Sequence, residues 1–156
     1  MNIGKTLLLS LVVIASTTGC ATTSKLASAT TVDANRNVVL VFYREALSNR
    51  QVRKAFERYA SPDFIEHKPD VGGGTREATI VYLDGLVNSL PNASWEVIRT
   101  IAEGDLVFLH ARFIPAPGSA PYAIADVFRL RDGLIVEHWD AVGRPPEQQR
   151  NPNSRF

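Results

Sequence analysis

Cysteine is nearly absent from this chain of 156 residues: Cys20 is the only one, so no disulfide can form within the chain and stability must come from a packed core. Net charge is nearly absent too. Lys and Arg number 17 against 16 Asp and Glu, with no basic run and no interleaving of basic and aromatic residues, which removes the electrostatic footprint of a nucleic-acid binder. Histidine occurs only at His67, His110 and His138, and together with Asp126 these lack the tight spacing of a metal-ligand set, so no metal is expected. Serine nucleophile elbows, phosphate loops and dinucleotide fingerprints are missing as well. The cluster Gly72-Gly73-Gly74 reads as a hinge ahead of a helix, and no cofactor is expected. What is present, 45% hydrophobic and 21% charged residues, is the composition of a globular protein, and the length suits one domain.

The N-terminus has its own layout. Lys5 is followed by an apolar run from Leu7 to Ala15 and by small residues ending at Gly19 and Cys20, the pattern of a secretory signal and too short for a comfortable membrane span. With Cys20 at its end, the segment 1–20 resembles a bacterial lipoprotein signal, although Thr17 stands where that motif usually has Leu. The resemblance implies lipidation of Cys20 and an exported protein, anchored to a bacterial membrane and facing the periplasm or the cell exterior. Residues 21–32, ATTSKLASATTV, are then expected to be a flexible tether, and 33–156 the folded domain. Loss of Lys5 with the signal leaves no net formal charge.

Within 33–156 the hydrophobic period changes once. Asp33 is expected to cap a first helix carrying Val38, Val41, Phe42 and Ala46 at helical spacing. A second short helix places Val52, Ala55, Phe56 and Tyr59 on one stripe and ends at Pro62, and a third opens at Thr75, aligns Ile80, Leu83, Val87 and Leu90, and stops at Pro91. From Trp95 the period is two. Strands are expected at 95–103, 106–113, 122–131 and 134–140, with Gly104-Asp105 and Asp132-Gly133 as hairpin turns. Helices first and an antiparallel meander after them predict an α+β domain.

One residue breaks the pattern of these strands. Asp126 shares a face with Ile124, Phe128 and Leu130, so a carboxylate is set on the oily side, where it needs a partner or a raised pKa. A structural Asp held by hydrogen bonds is the alternative. His110, with Leu106 and Phe108 on its face, is expected near Asp126, as an imidazole that either tunes the acid or simply fills the core. His138 and Asp140 point to one side, Glu137 and Trp139 to the other. Trp95 and Trp139 are large enough to fill core or interface.

The segments "FYREAL", "FIEHKPD", "IAEGDLVFLHARF", "ADVFRLRDGLIVEHWD" and "NPNSRF" resemble the SnoaL-like group of the nuclear transport factor 2-like superfamily over about residues 34–156. The resemblance implies a cone-shaped barrel, a curved antiparallel sheet closed by three N-terminal helices around a deep pocket, and a homodimer. It also implies that Asp126 is a general acid/base next to a carbonyl, as in polyketide cyclases performing aldol ring closure; from its strand position, a neutral His110 is expected to help hold the oxyanion. His67, at the rim where the resemblance places pocket residues, and Tyr82, Phe128, His138 and Trp139, from their positions in the predicted elements, are the expected pocket residues around a small, largely apolar carbonyl compound. Lys68 stands where relatives often have Asn. An epoxide hydrolase of this fold would need an Asp, Arg, Asp relay, and Arg112 has no second carboxylate beside it in the strand pattern. A ligand-binding lipoprotein without chemistry is the competing class.

Overall fold

Val39, Phe42, Tyr43, Ala46 and Leu47 are buried together at the C-terminal end of the first helix, which shifts the core stripe by one residue from the expected Val38 and Val41. The computed structural model describes residues 20–156, with side chains from residue 31. The expected signal segment and the acceptor side chain of Cys20 lie outside the described residues. Helix α1 (Cys20–Tyr43) runs straight through the segment expected to be a tether, so Asp33 is no cap; it sits mid-helix and pairs with Arg36. A wider π-helical turn (Arg44–Ser48) extends α1, and α2 (Val52–Tyr59) follows. Among the described residues no helix is long and apolar enough to cross a membrane.

After α2 comes an element absent from the expectation, β1 (Ala60–Glu66), then α3 (Arg76–Ser89), β2 (Ser94–Glu103), β3 (Leu106–Ile114), β4 (Tyr122–Arg131) and β5 (Leu134–Gly143). The sheet order is β1-β5-β4-β3-β2. Strands β2 to β5 form the antiparallel meander, but β1 joins β5 in parallel, with Glu66 level with His138. The sheet is therefore mixed rather than antiparallel, and it is not closed, since β1 and β2 are both edges. Pro62 is tolerated in β1 because an edge strand has one unpaired side. At the β4–β5 turn Asp132 and Gly133 both take positive φ, 54° and 77°, the twist that a two-residue hairpin needs.

The helices cover the inner face of the curved sheet. Phe42, Phe56, Phe64 and Phe128 join α1, α2, β1 and β4 edge to face, with ring centres 5.0 Å (Phe42–Phe56), 5.5 Å (Phe56–Phe64) and 5.9 Å (Phe42–Phe128) apart. Asn35, also buried, donates to the carbonyl of Gly104 at 3.2 Å and ties α1 to the β2–β3 turn. Arg50 donates to the carbonyls of Leu90 (3.0 Å) and Pro91 (2.7 Å) and to that of Val87, closing the last turn of α3.

At the other end of α3, the Thr75 hydroxyl accepts from the Ala78 amide at 3.3 Å, as the sequence predicts for a cap. Thr75→Ala is expected to lower stability by about 1 kcal/mol, visible as a lower urea midpoint with unchanged slope.

Candidate active site

Strand alternation brings four polar groups from three strands to the same inner face. On β4, Asp126 lies between Ile124 and Phe128; on β5, His138 and Asp140 stand level with Phe128 and Asp126; on β1, Glu66 stands level with His138. The imidazole bridges two carboxylates. His138 Nδ1 is 2.9 Å from each oxygen of Glu66, and Nε2 is 3.2 Å from Asp126 Oδ1. Glu66 also accepts from the Lys68 amide at 2.9 Å. With an acceptor at each ring nitrogen, the doubly protonated imidazolium is the form that fits. Burial alone would depress the His138 pKa, but the hydrogen bonds and charges of Asp126 and Glu66 outweigh it and push it up to about 9.

Asp126 is 5% exposed. Burial pushes its carboxyl above the usual range, and the hydrogen bond and charge of His138 pull it part of the way back. Oδ1 faces His138, while Oδ2 is buried and has no hydrogen-bond partner among the described residues. Burial first, then the charge of Asp126 and a hydrogen bond donated to its carboxyl, push the Tyr43 pKa well above the ordinary value, so the phenol keeps its proton. Beside this group, Lys68 Nζ contacts Asp140 at 2.6 Å and Asp70 at 3.6 Å.

These side chains line a cavity of about 630 Å³ between the sheet and the helices. Its remaining wall is apolar and largely aromatic, with Phe42, Phe56, Phe64, Leu83, Trp95 and Phe113 among the lining residues. Trp95 stacks on Phe113 with ring centres 5.0 Å apart. A free carboxylate oxygen at one side of such a cavity can take or return a proton from a bound molecule, sheltered from water. Among the described residues no cluster of His, Cys, Asp and Glu has a metal-binding arrangement.

Of the residues singled out in the sequence, Asp126, Tyr82, Phe128 and His138 line the cavity. His110, His67 and Trp139 do not. The inner residues of β3 are Val107, Leu109 and Ala111, and Leu109 stands level with Asp126, so His110 faces outward with Leu106 and Phe108. There its Nδ1 lies 2.6 Å from Arg99, its ring stacks on Phe156, and burial together with the charges of Arg99 and Arg155 lowers its pKa. Trp139 is also on the outer face, stacked on His67 at 4.5 Å and under Arg129. Arg112 pairs with Glu96 there, away from Asp126. Tyr43 and Glu66 are cavity residues that escaped the sequence reading, whereas Lys68, at a position the resemblance puts near the pocket mouth, does line the cavity. For Glu66 the local pattern misleads, since apolar Ile65 is the exposed residue and Phe64 and Glu66 point inward.

The fold is α+β of the nuclear transport factor 2-like type, with an acid at the wall of a largely apolar cavity. Residues 39–138 match the SnoaL-like domain, and the chain belongs to that family. No curated protein matches the chain. Among solved structures it is similar to IdmH from Streptomyces antibioticus, a candidate polyketide cyclase, at 23% identity and a TM-score of 0.58, covering 69% of this chain and 91% of that one. It is similar also to a candidate SnoaL-like polyketide cyclase from Jannaschia sp. CCS1, at 22% identity and 0.59, over 70% and 85% of the two chains. AclR from Streptomyces galilaeus, a candidate hydroxylase, gives 22% and 0.59 over 72% and 90%. At these identities the likeness establishes the fold.

Proposed function

We propose that the protein binds a small, largely apolar carbonyl compound and carries out cofactor-free acid–base chemistry next to the carbonyl, as in an aldol condensation, cyclisation or isomerisation. The observation that carries this reading is Asp126: a buried carboxylate at the wall of the cavity, held through Oδ1 by His138 and flanked by the Tyr43 phenol, whose Oδ2 makes no hydrogen bond among the described residues. Oδ2 takes the proton from the carbon next to the carbonyl, and the electron pair moves into the enolate. The Tyr43 phenol, which retains its proton, donates to the developing oxyanion, the part His110 cannot play from the outer face. The proton then returns from Asp126 to the product. Glu66 fixes the His138 ring and so positions Asp126.

The test is proton exchange. Purified protein incubated in heavy water with cyclic and acyclic ketones is expected to wash deuterium into the α-position, followed by NMR. Binding without exchange points instead to a carrier of the same fold. The N-terminal pattern supports a second part of the proposal, an exported protein anchored to a bacterial membrane through Cys20. Intact mass of protein extracted from membranes is expected to show acyl chains on an N-terminal Cys20, and an unmodified N-terminus at Ala21 or Thr22 rejects the anchor.

A further inference from the structure

The charges around the cavity are unevenly matched. Four carboxylates line it, Glu66, Asp70, Asp126 and Asp140, against Lys68, His138 and, at its exposed rim, Arg144. Both interior cations are already engaged. His138 lies between Glu66 and Asp126, and Lys68 Nζ sits 2.6 Å from Asp140 and 3.6 Å from Asp70. Among the described residues, the buried polar atom on this wall that makes no hydrogen bond, Asp126 Oδ2, is an acceptor. An incoming carboxylate or phosphate would therefore lose its water, meet excess negative charge, and find no uncommitted positive group inside. An uncharged carbonyl compound meets no such penalty. An amine gains a carboxylate acceptor at Asp126 and the aromatic faces of Trp95 and Phe113.

We infer that the cavity is a charge filter, admitting uncharged and amine-bearing carbonyl compounds and rejecting carboxylates and phosphates, with the Lys68–Asp140 pair setting the filter. The inference rests on the acid–base reading of the same pocket and adds the substrate's charge class to it. Lys68 is the decisive group because, with His138 held between two carboxylates and Arg144 at the exposed rim, its ammonium is the interior charge that an anion would need, and Asp140 cancels it. Selection here works by withholding a partner from the wrong ligand rather than by a special contact with the right one.

Three probes of one shape test this with the full chain: 2-acetonaphthones carrying a methyl, an aminomethyl or a carboxylate group at the 6-position, titrated calorimetrically. The carboxylate is expected to bind at least about tenfold more weakly than the methyl compound, and the aminomethyl compound no more weakly than it. In Asp140→Asn, where Lys68 keeps only its longer contact with the exposed Asp70, carboxylate binding is expected to rise by about tenfold relative to the methyl probe, and Lys68→Met added to that variant should remove the gain. The methyl probe reports in each variant whether the pocket is intact; if Asp140→Asn loses it, the three-probe ranking in the unaltered protein decides alone. Carboxylate binding equal to or tighter than methyl binding overturns the filter while leaving acid–base chemistry standing. Binding of none of the three overturns the filter together with the pocket reading beneath it.

Discussion

Asp126→Asn is expected to slow deuterium incorporation into a bound ketone by roughly 10²–10⁴-fold, the range spanned by loss of a positioned general acid or base. The substitution is chosen because it keeps shape and most contacts. The amide oxygen can still accept from His138 Nε2, and the Glu66–His138 pair at 2.9 Å is untouched. What disappears is the free Oδ2 as a proton acceptor. Ketone affinity should change little, because the aromatic wall supplies most of the contact surface. That split between unchanged binding and lost exchange separates a chemical role from a structural one. If the Asn variant exchanges at the unaltered rate, Asp126 is a satisfied core residue and the proposed chemistry goes with it.

Much of the fold was legible because its local signals agree. Asp132-Gly133 between two alternating runs forces a hairpin, and this fixes the inward phase of β4 once Phe128 and Leu130 are read as core. Asp126, His138 and Asp140 then fall on one face without any knowledge of partners. β3 had no such anchor. In Leu106–Ile114 both alternating sets are apolar, Leu106 and Phe108 on one side, Val107 and Leu109 on the other, so the strand alone cannot tell inside from outside. Pairing with β4 decides it, and the one-residue change of phase sends His110 to the outer face. β1 was hidden for a different reason: it is short, it contains Pro62, and its pairing partner lies more than 70 residues along the chain. Glu66 therefore gave no local reason to be placed beside His138. Tyr43 is one step from the helical stripe read in the sequence, a shift already present at the fully buried Val39.

Stability is expected to be highest at mildly acidic pH and to fall by roughly 3 kcal/mol as pH rises from about 6.5 through 9. The sign follows from the Glu66–His138–Asp126 cluster. His138 holds its proton in the folded protein up to about 9 but only to about 6.5 when unfolded. The folded state thus binds more protons across that interval, and its advantage, complete below 6.5, is lost once the imidazolium deprotonates between two buried carboxylates. The raised pKa of Asp126 acts in the same sense at lower pH, since there too the folded state retains a proton that the unfolded chain has released. Urea unfolding at a series of pH values measures the fall. Histidine ring NMR assigns it, with one resonance titrating near 9 and the His110 resonance below the ordinary value. His138→Gln should remove the fall between 6.5 and 9 and cost about 3 kcal/mol at neutral pH, because it strands two carboxylates away from water without their shared cation. A histidine midpoint near 6.5 for His138, or stability that stays level up to pH 9, would mean that the imidazole is neutral between Glu66 and Asp126. Asp126 would then lack the charge that partly offsets its burial, and a carboxyl kept protonated at neutral pH could donate to a substrate oxygen but not remove a proton from carbon.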